Sequence, residues 1–379
     1  MIYMDHAATT PPREEALQMY MEASKHFFGN SSSLHDAGTQ ANRLLENCRN
    51  QLGQLLLADK DGIYFTSGGS ESNILALQSL IEANAHKGNH LITSSIEHSS
   101  ILHFFARMET LGYEVTYLPV DSHGLIDLEE LKASIREETI LASIQHGNGE
   151  IGTIQPINEI GNLLHSKGIL FHSDCVQTFC KLPLTLADLP IDSISVSSHK
   201  VYGPKGVGAV YINPTVPYKA LLPNTTHEKG FRPGTVNVPG IAAFVTAAEL
   251  LQDEMPVNQE RYKQLRSKFI ELLSNMPVDV EIESSAVEQL PHIVGVRFPG
   301  VQGQYVMLEC NRRGLAVSTG SACSSGQQDP SRTMQAIGRT DDQAIEFIRF
   351  SFGRETTDAE ITEAAKILNA LLADFFITQ

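Results

Sequence analysis

Gly62-Ile63-Tyr64-Phe65-Thr66-Ser67-Gly68-Gly69-Ser70-Glu71-Ser72-Asn73 passes from an apolar run, through a double glycine, into a helical pattern. Residues 62–66 are predicted as a strand, and 71–83 repeat apolar side chains at helical spacing. A strand, two glycines and a helix start make a seat for an anion. Backbone N–H groups and the helix dipole face it, and the glycines allow close approach. No Lys-Ser or Lys-Thr follows, so this is not a Walker loop. Taken alone, the segment reads equally well as a tight turn between strand and helix.

The same alternation continues on both sides. Thr10-Pro11-Pro12 opens a first helix over 13–20. Strands are predicted over 90–94, 114–119, 140–144, 169–173, 193–197 and 206–212, with a loop over 213–240. Short apolar runs alternating with helical patterns predict an α/β fold with a mostly parallel sheet. From about residue 255 the order changes. A helix over 259–274 precedes a strand over 292–297, a helix over 304–314 and a strand over 347–352. Thr357-Asp358-Ala359-Glu360 then has capping-box spacing for a last helix. This second pattern predicts a smaller α+β domain. The expected division is a large domain over 14–254 and a small one formed by 1–13 and 255–379.

Composition narrows the function classes. The 379 residues carry a net charge of −16, which leaves no basic footprint for nucleic acid or anionic membrane. Met1-Ile2-Tyr3-Met4-Asp5-His6 lacks the basic and apolar regions of a signal peptide, and no apolar stretch reaches membrane-spanning length. Cys48, Cys175, Cys180, Cys310 and Cys323 are irregularly spaced, with no Cys-x-x-Cys pair. A disulfide framework or a metal site is not expected; free thiols in a reducing, cytoplasmic compartment are.

Two strand ends carry chemistry. Leu170, His172 and Asp174 share one face of a strand, and Asp174 falls at its C-terminal end, where α/β folds bind ligands. Asp there serves either as a helix cap or as a carboxylate that holds a protonated pyridine nitrogen. Ile194-Ser195-Val196-Ser197-Ser198-His199-Lys200 ends a second strand in a lysine among small residues, next to an imidazole. Such an amine can carry a Schiff base if burial or a nearby cation lowers its pKa. Alone, Lys200 reads as a surface lysine. Together, an anion seat, Asp174 and then Lys200 26 residues further on match the three needs of pyridoxal phosphate: partners for phosphate, ring nitrogen and aldehyde.

With these residues in place, the chain resembles the cysteine desulfurases of class V among the fold-type-I pyridoxal-phosphate enzymes, closest to the NifS/IscS-type group. The resemblance covers nearly the whole chain. It is carried by Asp5-His6-Ala7-Ala8-Thr9-Thr10, Phe28-Gly29-Asn30-Ser31-Ser32-Ser33-Leu34-His35, Thr66-Ser67-Gly68-Gly69-Ser70-Glu71-Ser72-Asn73, Glu97-His98, Glu150-Ile151-Gly152, His172-Ser173-Asp174-Cys175-Val176-Gln177, Ser197-Ser198-His199-Lys200-Val201-Tyr202-Gly203-Pro204-Lys205-Gly206, Arg232-Pro233-Gly234-Thr235, Ser321-Ala322-Cys323-Ser324-Ser325-Gly326 and Arg349-Phe350-Ser351-Phe352-Gly353-Arg354.

The resemblance implies a role for each. Lys200 would hold the cofactor as a Schiff base and move protons at Cα. Asp174 would pair with the ring nitrogen, His98 would stack on the ring and assist proton transfer, and Gln177 would bond the ring hydroxyl. Gly69, Ser70, Ser197 and His199 would hold the phosphate, joined by Thr235 from the other subunit of a homodimer. Arg349 would bind the substrate carboxylate as a fork, with Asn148 beside it. Cys323 would take sulfur from L-cysteine as a persulfide, leaving L-alanine. The sulfur would pass to an iron–sulfur scaffold, a specific apoprotein or a thiolation acceptor. The small polar neighbours of Cys323, within a long loop over 318–328, are the composition of an exposed, flexible carrier, whereas Cys310 sits in an apolar context.

Two positions depart from the pattern. Ser70 stands where the group has Thr and keeps the hydroxyl. Asn148-Gly149 stands where the group has Asn-Asn. With no side chain at Gly149, substrate binding is expected to lean on Arg349, and Gly149→Asn is expected to lower KM, unless Gly149 has positive φ and points a side chain away. The competing readings are another class V enzyme, such as an aminotransferase or selenocysteine lyase, and a non-catalytic sulfur-relay partner. The Cys323 loop argues against a plain aminotransferase, and the near-complete set of chemical residues against the relay.

Overall fold

The computed structural model describes residues 1–222, 225–283, 288–320 and 330–377. In chain order the strands are β1 (Ile2–Tyr3), β2 (Ile63–Thr66), β3 (His90–Ser94), β4 (Glu114–Leu118), β5 (Thr139–Ser143), β6 (Leu170–Asp174), β7 (Ser193–Ser197), β8 (Gly208–Ile212), β9 (Glu281–Glu283), β10 (Ile293–Arg297), β11 (Leu315–Ala316) and β12 (Phe347–Ser351). The helices are α1 (Glu14–His26), α2 (Asp36–Leu56), α3 (Gly69–Asn84), α4 (Ser99–Thr110), α5 (Leu128–Ser134), α6 (Ile157–His165), α7 (Val238–Ser274), α8 (Gly303–Arg312), α9 (Arg332–Ala336), α10 (Asp341–Ala344) and α11 (Asp358–Ile377).

The main sheet has the order β2-β8-β7-β6-β5-β3-β4. Its pairings are parallel from β4 to β7, and β8 runs antiparallel to both β7 and β2. The sheet is therefore mostly parallel, as the alternation predicts. Both faces are covered. Ile63, Ile92 and Ala142 join one apolar cluster with Leu52, Ile160 and Phe244, while Tyr64, Leu91 and Leu141 join another with Leu77, Phe104 and Phe105. Consecutive strand residues thus enter opposite cores, which is why these strands read as unbroken apolar runs instead of alternating ones. Truncating one of these phenylalanines to alanine costs about 3–5 kcal/mol.

A second core lies around Met4, Phe269, Val294, Phe350 and Leu368. It is built on the antiparallel sheet β12-β10-β9, beside the parallel pair β1-β11. Two helices exceed the expected elements. α2 is a 21-residue helix that the sequence reading did not delimit, capped by His35, whose side chain accepts from Gly38 N. α7 spans 37 residues, where only 259–274 is predicted. Its first half buries Ile241, Ala242, Ala243, Phe244 and Val245 in succession, so no one-sided stripe marks it as helical. Leu251 belongs to the first core and Tyr262 to the second. Pro256 lies between them and has no N–H to donate into the helix ladder.

Candidate active site

The C-terminal ends of β6 and β7, the start of α3 and the N-terminal segment converge on one region. Gly68, at φ 151° and ψ 179°, adopts a backbone shape that is essentially glycine's alone. A side chain on Gly208 would meet Gly68 Cα at 2.7 Å, and one on Gly69 would meet Val176 Cγ2 at 2.8 Å. The glycines therefore bring α3 against β8 and against the turn after Asp174. No side chain caps α3. The Ser197 hydroxyl is buried without a hydrogen-bond partner, and it lies 3.9 Å from where a side chain on Gly68 would begin. An uncapped helix start beside an unsatisfied hydroxyl has donors to offer an anion. Ser70 is exposed in the first turn of α3.

Asp174 is buried at the end of β6. Its Oδ1 accepts from Val176 N at 2.9 Å, the local cap, and its Oδ2 accepts from Asn73 Nδ2 at 2.8 Å. Oδ1 thus serves as the local cap, and Oδ2 is turned toward α3. Asn73 Nδ2 also donates to Ser100 Oγ at 3.2 Å. The Ser100 N–H donates to His98 Nδ1, so neutral His98 keeps its proton on Nε2. Asn73 Oδ1 lies 3.2 Å from His172 Nε2, which must donate, and His172 Nδ1 then accepts from Ser193 Oγ. Burial pushes His172 down to about 3, which keeps it neutral. Asn73 ends the Thr66–Asn73 motif, and the resemblance implies no role for it. The usable signal was its place one helical turn after Ser70, on the sheet side of α3.

Lys200 follows β7 by one short turn. Its Nζ donates to Ala8 O at 2.8 Å and to Ala7 O. Gln177 Nε2 donates to the same Ala7 carbonyl at 3.0 Å, and Gln177 Oε1 is buried without a partner. His199 Nδ1 lies 3.1 Å from Thr9 Oγ1. Burial, and then Lys200, push His199 down to about 4. Lys181 is buried one turn beyond Gln177; burial, and then Lys200, lower it to about 7.

Arg349 lies in the middle of β12, 3% exposed. Its Nη1 donates to Gly149 O at 2.9 Å, its Nη2 pairs with Asp5 Oδ1 at 2.7 Å, and its Nε has no partner among the described residues. Asn148 is turned elsewhere. Its Oδ1 accepts from Glu150 N and Ile151 N at 2.8 and 2.9 Å, and its Nδ2 donates to Ile96 O at 3.3 Å. It shapes the turn that presents the Gly149 carbonyl. Gly149 does not have positive φ. A side chain there would begin 2.9 Å from Gln177 Nε2. The Gln177 amide thus borders the slot at Gly149.

Thr235 is exposed, on the segment that Arg232 pins to Glu71 in the first turn of α3 at 2.8 Å. Cys323 lies outside the described residues. The other four cysteines are buried and free, and burial pushes each thiol up, Cys48, Cys175 and Cys310 to about 12. None of them is a ready nucleophile. Among the described residues no group of three or more His, Cys, Asp or Glu could hold a metal ion, and no helix is long and apolar enough to cross a membrane.

The class-V aminotransferase family model matches residues 2–363. A Bacillus subtilis (strain 168) protein provisionally named cysteine desulfurase NifS is 51% identical over 365 residues, 96% of this chain and 92% of its own. The cysteine desulfurase IscS of Dictyoglomus turgidum is 39% identical, over 98% of this chain and 94% of its own. The chain belongs to the class-V aminotransferases, in their NifS/IscS cysteine desulfurase group. The solved structure of a NifS-like protein matches this desulfurase with a TM-score of 0.92 at 32% identity, covering 98% of this chain and 99% of its own. That of SspA in complex with cysteine matches with a TM-score of 0.82 at 33% identity, covering 93% and 99%. As a member of this group the desulfurase uses pyridoxal phosphate.

Proposed function

We propose that this desulfurase removes sulfur from free L-cysteine, leaving L-alanine, and that Cys323 receives the sulfur as a persulfide. One observation carries the reading. Ser197 Oγ, Gln177 Oε1 and Arg349 Nε are buried polar atoms without partners among the described residues, on three elements tied to the segment that holds the Lys200 amine. Buried polar atoms are nearly always paired, so three orphans on these elements call for a polar guest.

The residues present fit pyridoxal phosphate. Gly69, Ser70, Ser197 and His199 would hold its phosphate at the start of α3. Asp174 would face the ring nitrogen, oriented by Asn73. Gln177 would offer its free oxygen to the ring hydroxyl, His98 would cover the ring, and Lys200 would hold the group covalently. When bound, the cofactor supplies an electron sink for charge developing on the substrate's carbons. Arg349 grips the substrate carboxylate with its remaining N–H donors. The Lys200 amine would take and return a proton at Cα. The Cys323 thiolate attacks the substrate sulfur, forming an S–S bond as the C–S bond breaks. The electron pair of that bond passes to the substrate carbon, which is protonated to give alanine.

The same reading assigns Thr235 to the partner's phosphate site in a homodimer, and the persulfide to an iron–sulfur scaffold, a specific apoprotein or a thiolation acceptor in the cytoplasm. It also divides the chain at residue 254/255, near the point where α7 passes from the first core to the second, with residues 1–13 added to the smaller unit. The test is direct. Purified protein given pyridoxal phosphate and L-cysteine should release alanine and carry one extra sulfur on the Cys323 peptide. A keto acid in place of alanine would assign an aminotransferase.

A further inference from the structure

Asp5-His6-Ala7-Ala8-Thr9-Thr10 carried the family resemblance without a chemical role, yet this strip touches most of the assigned site. Ala7 and Ala8 carbonyls accept from Lys200, and Ala7 also accepts from Gln177. Thr9 Oγ1 meets His199 Nδ1, and Thr10 N donates to His199 O at 2.9 Å. Asp5 pairs with Arg349. The strip is itself fixed to the strand that carries Arg349: Ser351 N donates to Met4 O at 2.8 Å, and Ala7 N donates to Ser351 Oγ at 2.9 Å. Tyr3 Oη ties it from the other side, donating to Asp5 O at 3.1 Å and Thr9 O at 2.9 Å. His6 wedges it in place, since a side chain on Gly353 would fall 2.1 Å from the His6 ring. The Asp5 carboxylate is thus held where it stands, on the same support as the Lys200 amine.

Asp5 uses one oxygen on one terminal nitrogen of Arg349, and Gly149 O takes a hydrogen from the other. A guanidinium has five N–H groups, so three remain, including the buried Nε–H that lacks a partner. That is enough for a second carboxylate to bind as a fork without displacing Asp5. A buried guanidinium also needs a counter-charge while the site is open. We propose that Asp5 is a positioning residue for substrate recognition: it holds the Arg349 guanidinium so that the remaining donors meet the cysteine carboxylate in register with the Lys200 amine. This rests on the reading of Arg349 as the carboxylate-binding residue.

The test uses the full-length holoenzyme with Asp5→Ala, Asp5→Asn and Asp5→Glu. KM for cysteine should rise about tenfold in Asp5→Ala, the effect of losing part of a charged hydrogen-bond system, with kcat within about threefold. Asp5→Asn should fall between, and Asp5→Glu should recover most of the loss. Two ligands separate positioning from general structure. The inhibition constant of 3-mercaptopropionate, which has the carboxylate and no amine, should rise with KM. The dissociation constant of cysteamine, which has the amine and no carboxylate, should not move. Equal weakening of both ligands assigns Asp5 a merely structural role, and a lower KM makes it a competitor of the substrate; either overturns the proposal. Arg349→Ala is the control. If it leaves KM unchanged, the assignment of Arg349 fails and this role with it. If it raises KM while Asp5→Ala does not, Asp5 alone is removed.

Discussion

One nitrogen of Asn73 donates both to Asp174 Oδ2 at 2.8 Å and to Ser100 Oγ at 3.2 Å, so a residue of α3 joins the carboxylate ending β6 to the first turn of α4. Its oxygen meanwhile meets His172 Nε2. Asn73→Ala would leave a buried carboxylate oxygen and a buried imidazole N–H without partners. Each such group costs about 1–3 kcal/mol. We expect a lower melting temperature without cofactor and weaker pyridoxal phosphate binding in a direct titration, while Ser100→Ala does less. Wild-type cofactor affinity in Asn73→Ala would show that Asp174 needs no orienting.

Borohydride reduction of the holoenzyme, followed by peptide mapping, should place the cofactor on Lys200. The expectation rests on its place after β7 with its amine on the Ala7 and Ala8 carbonyls. A label on Lys205 would overturn the assignment, and one on Lys181, the buried amine near Lys200, would move the site across the pocket.

Cys323→Ala should keep the cofactor's visible absorbance and lose alanine production from cysteine. The four buried thiols, all pushed up by burial, offer no substitute. Absorbance and alanine are measured on the same sample. Normal alanine output would take Cys323 out of the mechanism.

Gly149→Asn should raise KM for cysteine, against the expectation drawn from sequence. Its side chain would begin 2.9 Å from Gln177 Nε2 and push that amide off Ala7 O. The effect should be coupled: in Gln177→Ala the same substitution should cost much less, a non-additivity that a double-mutant cycle reads directly. Strict additivity would show that the two side chains do not compete for the slot.

Two buried groups should tilt stability against pH in opposite directions. Glu97 is buried, with one oxygen bonded to Ser94 and Gln145 and the other unpartnered. Burial raises its pKa from 4.5 to about 8, and Asp174 adds to the rise. The folded state then binds a proton that the unfolded state has lost, so stability drops as pH rises between about 4.5 and 8. His172 is lowered from 6.5 to about 3, so its contribution is lost as pH falls through that window. Each group contributes at most about 1.4 kcal/mol per pH unit. In thermal melts from pH 6 to 8, the parent's melting temperature should fall relative to that of Glu97→Gln as pH rises. An identical slope would mean that Glu97 does not titrate there.

Asp174 and Lys200 were legible because apolar strands end abruptly in polar residues, and parallel-sheet ligands gather at such ends. The double glycine before α3 was legible as a close approach, though only the orphaned Ser197 hydroxyl tips it toward an anion seat. Arg349 was visible through resemblance alone, since a strand-centre arginine has no local signature. Asn73 and Asp5 escaped because their importance lies in partners about one hundred and more than three hundred residues away. Asn148 differs from them: its oxygen bonds locally, to the amides of the next turn. The first half of α7 hid itself by being buried on nearly every side.

α7 has a mechanical consequence. At 37 residues it is about 55 Å long, and it contributes Phe244 to one core and Phe269 to the other. Neither core can come apart alone without breaking a helix that the other still holds. Unfolding is therefore shared: heat should melt the two halves in one cooperative transition, and Pro256, where the rod lacks a backbone bond, is where that cooperativity is thinnest.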